Sequence, residues 1–176
     1  VPLCADVPLR EIKIRAAVSS QFKNNPDWQT EIRNRVIFEN EIFEQAFQVH
    51  FSVKDYLPWE PIDETREMGL LLEEIDALAP LGENEILTGF HQMTKPLQSD
   101  VVEDIDKVGS ARFFQGIAVI RDPAQNLEPH RRNAVLAHEL GHIFGAVHVS
   151  GDRAIMHPQV PVAPDLAFDH DNRDII

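Results

Sequence analysis

Polar and apolar positions alternate from Glu11 to Ser20, where Ile12, Ile14, Ala16 and Val18 are separated by more polar neighbours. A period of two predicts a half-buried strand. Asn25-Pro26-Asp27 marks a turn and a helix start. From Trp28 to Gln48 the period changes, and Ile32, Val36, Ile37, Phe43 and Phe47 recur at helical spacing. That stretch predicts a long amphipathic helix. Val49 to Val53 alternates again, and Pro58 and Pro61 end the element. A second helix is expected from Glu64 to Leu78, with Met68, Leu71, Leu72 and Ile75 on its apolar side, followed by a short strand from Glu85 to Phe90. Arg112 to Ile120 reads as one strand with Gly116 in its middle, which suggests a bulge or a close backbone approach. A third helix is expected from Leu127 to Phe144, with Pro129 in its first turn. The remainder is loop-rich, with Pro158, Pro161 and Pro164, and a last helix starts near Asp165 to Asp169. The order βαβαββα, then loops and a helix, predicts an α/β or mixed α+β sandwich.

Composition narrows the class of partner. A chain of 176 residues with 43% apolar and 26% charged residues is globular, and fits one domain or two small lobes sharing a core. The net charge of −13 argues against nucleic acid and anionic membrane surfaces, which demand a cationic face. No apolar stretch approaches the roughly 20 residues of a membrane span. Cys4 is the single cysteine, so no intrachain disulfide forms, although export remains open. The chain opens on Val1 without a recognisable signal segment, as expected of a processed or trimmed fragment.

The chemistry is concentrated in His138-Glu139-Leu140-Gly141-His142-Ile143-Phe144-Gly145-Ala146-Val147-His148. Residues four apart on a helix lie about 40° apart on one face, so His138 and His142 can both point at one ion. Neutral imidazole nitrogens are good zinc ligands. Glu139 lies about 100° round from His138, beside the ion and poorly placed to ligate it, where a base acting on water should sit. On a continuing helix His148 would face away and lie about 9 Å further along. It reaches the same ion only if the helix stops and the chain doubles back. Gly145 supplies the stop, because glycine takes a left-handed C-terminal conformation at little cost.

This segment resembles the zinc-peptidase signature HExxHxxGxxH of the metzincins. The resemblance extends to Ala154-Ile155-Met156-His157-Pro158, with Met156 eight residues after His148. The Met-x-Pro form is similar to the Met-turn of matrixins and adamalysin-like enzymes. The family likeness implies that Met156 is not a ligand and that its thioether forms an apolar floor under the three imidazoles. It implies an α+β metzincin-like zincin, with a mixed twisted sheet, backing helices, an active-site helix and a short C-terminal subdomain carrying the Met-turn. The whole chain is then one catalytic domain, with an N-terminal lobe over about 9–146 and a C-terminal lobe over about 147–176. Arg112 to Ile120 would be the edge strand lining the cleft, making Gly116, Ile117, Ala118 and Pro158 candidate substrate-binding residues. The pocket beside the zinc helix would be walled by Gln159 to Ala167.

The implied activity is a metalloendopeptidase holding one catalytic Zn²⁺ on His138, His142 and His148, with Glu139 as general base towards metal-activated water. Its partners are peptides or proteins, with no nucleic acid and no membrane. It is expected to be a monomer, secreted or periplasmic. The alternative is a catalytically silent zinc-bearing module that grips peptide without cutting. Three departures from the better-known subfamilies suggest a small, prokaryotic-type metzincin. No His- and Asp-rich segment for structural zinc and calcium is recognisable before the third helix. Val149 follows the third ligand, where matrixins have Ser and adamalysins Asp. The adamalysin disulfides are impossible.

The remaining polar residues have ordinary readings. Cys4 is read as an incidental free cysteine, and His50, His91, His130, His157 and His170 as surface residues. The acidic run Asp100 to Asp106 lacks the glycine turn of a calcium loop and is read as solvated. Asp169-His170-Asp171-Asn172 is read as the cap of the last helix.

Overall fold

Strand β1 (Arg10–Val18) sits between β2 (Val49–Pro58) and β3 (Glu85–Gln92), parallel to both. Beyond β3 lies the parallel β5 (Ile117–Asp122), and β4 (Gly109–Arg112) pairs antiparallel with β5 to close a five-stranded sheet of order β2-β1-β3-β5-β4. The structure is a computed structural model that describes residues 8–64, 67–96, 104–124, 127–151, 153–160 and 167–176. Cys4, residues 100–103 of the acidic run and residues 161–166 of the expected pocket wall lie outside the described residues.

The helices are α1 (Ser20–Lys23), α2 (Trp28–Phe47), α3 (Met68–Asp76), α4 (Pro129–Ile143) and α5 (His170–Ile175). One sheet face carries the main core. Ile12, Ile14, Ala16 and Val18 of β1 meet Ile32, Val36 and Phe43 of α2, with Leu136 and Leu140 of α4 in the same cluster. The opposite face packs on α3, where Met68, Leu71, Leu72 and Ile75 meet Ala17, Leu87, Ile117 and Val119. β5 is therefore buried on both faces, and it reads as an almost continuous apolar run for that reason. In β1 the polar partners Glu11 and Lys13 stay exposed, whereas Ala17 is covered, and the sequence alternates accordingly.

α2 and α4 are tied by charge as well as packing. The buried Arg35 guanidinium pairs with Asp122 of β5 and with Glu31 at 2.7 Å, and Arg132 of α4 reaches the same Glu31 at 2.7 Å.

Most expected elements form, with shifted ends. β2 continues past Val53 to Pro58, because β1 keeps pairing with it beyond a register shift at Ile14/Arg15. The second helix is shorter than expected, Met68–Asp76. A clear correction concerns Arg112 to Ile120. It is not a single edge strand. It is a hairpin in which β4 ends at Arg112, residues 113–116 turn, and β5 begins at Ile117. Phe114 (φ 57°) and Gly116 (φ 70°) both take left-handed backbone in that turn, so the mid-strand glycine is a turn glycine. His91, read as a surface residue, is buried in β3, with its Nδ1 3.0 Å from Ser19 Oγ and its ring against Trp59.

Glu39 of α2 is fully buried, and neither carboxyl oxygen has a hydrogen-bond partner. Burial holds its carboxyl well above the ordinary range, against the weaker opposing pull of Arg35. The folded state thus keeps a proton that the unfolded chain releases, and stability falls as pH rises through that interval. Glu39→Gln removes the titration. Its melting temperature is expected to exceed the parent's by a margin that widens between pH 5 and pH 8. A margin that stays constant or narrows contradicts the assignment.

Candidate metal centre

α4 follows the N-cap Glu128, with Pro129 at its first position, where a missing N–H costs nothing. From Ala134 to Ile143 every residue is buried, because this end of the helix lies between the sheet and the C-terminal segment. His138, Glu139 and His142 therefore occupy a dry environment.

The helix stops as the glycine predicts. Gly145 has φ 100°, its N–H donates to the His142 carbonyl at 3.0 Å, and the Ala146 N–H donates to the Gly141 carbonyl at 3.0 Å. This is the paired hydrogen-bond pattern of a Schellman cap. A Cβ on Gly145 would also overlap the Phe114 ring, 2.6 Å from its Cζ. The reversal returns His148 to the helix. His138 Nε2 lies 2.9 Å from His142 Nε2 and 3.0 Å from His148 Nε2, and His142 Nε2 lies 3.2 Å from His148 Nε2.

Hydrogen bonding fixes the tautomers of the first two rings. His138 Nδ1–H donates to the Ile155 carbonyl at 2.7 Å and His142 Nδ1–H to the Ala146 carbonyl at 2.8 Å. A carbonyl only accepts, so the protons sit on Nδ1 and the Nε2 lone pairs are bare. Burial, with His142 and His148 alongside, pushes His138 down to about 3, and burial lowers His142 too, so both rings are neutral at pH 7. Lone pairs turned on one another at about 3 Å repel unless a cation lies between them. Tetrahedral ligands at about 2.0–2.1 Å from zinc are roughly 3.3 Å apart, so the spacing fits that ion. Together the three imidazoles form a group able to hold a metal ion.

Glu139 is buried beside the triad, and its Oε2 has no hydrogen-bond partner. Burial first, and the Asp106 carboxylate second, hold its carboxyl well above the ordinary range. Its side chain lies over Gly109 of β4, where an added Cβ would come within 2.9 Å of the carboxyl carbon. A cavity of about 300 Å³ opens here, lined by Glu139, His142 and His148 with Asp106, Ser110, Ala111, Phe113 and Val147. The Phe113 ring stands 4.9 Å from His142.

Met156 is fully buried in a tight turn closed by the His157 N–H on the Ala154 carbonyl at 3.1 Å. A Cβ on Gly141 would lie 2.7 Å from the Met156 sulfur and 3.0 Å from Phe168. This glycine inside α4 lets the turn approach the helix, a requirement its spacing did not reveal. None of the substrate-binding candidates lines the cavity beside the triad. Ile117 and Ala118 are buried in β5, which is paired on both sides, and Gly116 lies in the hairpin turn near Leu81. Pro158 is exposed, and its carbonyl accepts from the Ile105 N–H. Sequence reasoning missed Gly109, Phe113 and Asp106. Gly109 and Asp106 precede the expected strand, and their role depends on a helix some thirty residues later.

No protein-family model matches the chain, and no curated protein sequence matches it. Its fold does match a solved structure, archaemetzincin from Methanopyrus kandleri, with a TM-score of 0.63 and 18% identity, over 98% of this chain and 96% of that one. The fold is that of archaemetzincin. Expectation and structure thus agree on a mixed α+β architecture, with a mostly parallel five-stranded sheet.

Gly145→Ala forces a side chain into left-handed backbone and against Phe114. The variant is expected to lose roughly 1–3 kcal/mol of stability in denaturant unfolding and to bind zinc more weakly. Parent-like unfolding and zinc affinity would contradict the role of the reversal.

Proposed function

We propose that this protein is a zinc-dependent endopeptidase of metzincin type. The observation that supports it most directly is the convergence of three Nε2 atoms within 3.2 Å, beside a buried carboxyl that has an oxygen without a partner. The archaemetzincin fold adds to this, since the neighbour's name carries the same family.

His138, His142 and His148 would hold the ion. Bound zinc supplies a Lewis acid for the carbonyl and lowers the pKa of water. The chain's own residues do the rest. Glu139 accepts the proton of the attacking water and returns it to the leaving amine. Gly109 leaves the space in which that carboxyl sits, and α4 keeps it dry. β4 is one of the two edge strands of the sheet, and its Ser110 and Ala111 line the cavity. An extended substrate pairs with this strand, in the manner of strand addition. Met156 is read as the buried methionine of a Met-turn, and the matrixin or adamalysin likeness stays a reading of the sequence alone. We place the enzyme outside the cytoplasm, acting as a monomer on peptides or proteins.

Glu139→Gln preserves shape and removes the base. The zinc-loaded variant is expected to keep its metal and to cleave casein or a peptide library roughly 10²–10⁴-fold more slowly than the parent. Cleavage at the parent rate would overturn the base assignment. No cleavage by the zinc-loaded parent, with or without chelator, would favour a silent peptide-binding module.

A further inference from the structure

Asn172 has no place in the chemistry above, yet it is fully buried in the short C-terminal helix α5. Its side chain is committed to the backbone of one residue. Asn172 Oδ1 accepts the Val147 N–H at 2.8 Å, and Nδ2 donates to the Val147 carbonyl at 2.9 Å. The same Nδ2 donates to Asp169 Oδ2 at 2.7 Å, while Asp169 Oδ1 accepts the Asn172 backbone N–H at 3.1 Å. With a carboxylate fixing which end of the amide is nitrogen, the amide cannot flip without losing all three side-chain bonds.

Val147 is a telling target. It follows Ala146, whose carbonyl orients His142, and precedes His148, the third ring. Residues 146–150 belong to no helix or strand, so no regular ladder holds them. The Val147 side chain is half exposed, so packing does not hold it either. On the far side of His148, the Val149 N–H donates to the Met156 carbonyl at 3.0 Å. The third imidazole therefore hangs between two tethers, and one of them is a single side chain.

We propose that Asn172 is a positioning residue that sets His148 on the metal by clamping both backbone groups of Val147. The inference rests on the reading of the triad as a metal site. Groups that hydrogen-bond a metal ligand typically contribute about 10–100-fold in metal affinity, and this clamp acts on the backbone next to one. A merely structural role, docking α5 onto the domain, predicts something different. It would lower the stability of the metal-free protein, and any effect on affinity would not depend on His148.

The test is zinc affinity by competition with a chromophoric chelator, together with the visible spectrum of the cobalt-loaded protein. Both are read on the full chain carrying Asn172→Leu, Asn172→Ala, His148→Ala and the double variant His148→Ala/Asn172→Leu. Asn172→Leu is expected to weaken zinc binding about 10–100-fold and to move the cobalt spectrum towards that of His148→Ala. The double variant is expected to bind no more weakly than His148→Ala alone, because the clamp acts through that ring. Unchanged affinity in Asn172→Leu overturns the proposal, and so does a loss repeated in full without His148. If Asn172→Leu fails to fold by circular dichroism, Asn172→Ala and His148→Ala/Asn172→Ala carry the same comparison. A parent protein that takes up no zinc overturns the metal-site reading itself, and the clamp falls with it.

Discussion

The Nε2 atoms of His138, His142 and His148 converge at 2.9–3.2 Å, a spacing that fits three imidazoles around one cation. Helical geometry brings the first two together. The third arrives only because Gly145 takes a backbone angle that other residues resist, so that the chain turns back on itself three residues before His148. The Ile155 and Ala146 carbonyls complete the constraint by holding protons on the outer nitrogens. Those carbonyls come from the chain after the helix, which makes the C-terminal segment part of the site.

The rest of the fold supplies rigidity and close approach. α4 lies against the half-buried β4 and the fully buried β5, and the Arg35, Glu31, Asp122 and Arg132 network binds it to α2 and β5. Two glycines then remove side chains where the site needs contact. Gly109 admits Glu139 against β4, and Gly141 admits Met156 beneath the helix. In each case the glycine is required by a neighbour remote in sequence. Interiors packed this closely leave no slack for an extra methyl group at such points.

Much of this was legible in the residues alone. The period-two pattern of β1, the long run of α2 and the His-Glu-His spacing of α4 with its glycine stop all appear as expected, because each is a local pattern read by local geometry. The 112–120 region was misread for a physical reason. Phe113 and Phe114 continue the apolar run through what is a turn, and Phe114 sits in left-handed backbone that its side chain disfavours. His91 looked like surface because its polarity is visible and its burial between Ser19 and Trp59 is not. Asn172 looked like a helix cap, and its neighbour Asp169 is one, but its clamp on Val147 appears only when the C-terminal helix is docked. Features set by long-range contact were hidden, whatever their chemistry.

X-ray absorption at the zinc edge of the metal-loaded protein tests most directly whether the three imidazoles share one cation. Three nitrogen ligands at about 2.0–2.1 Å with imidazole scattering, falling to two in His148→Ala, are the predicted result. Zinc that binds with at most two imidazoles in the parent, or a parent that takes up no zinc, would contradict it.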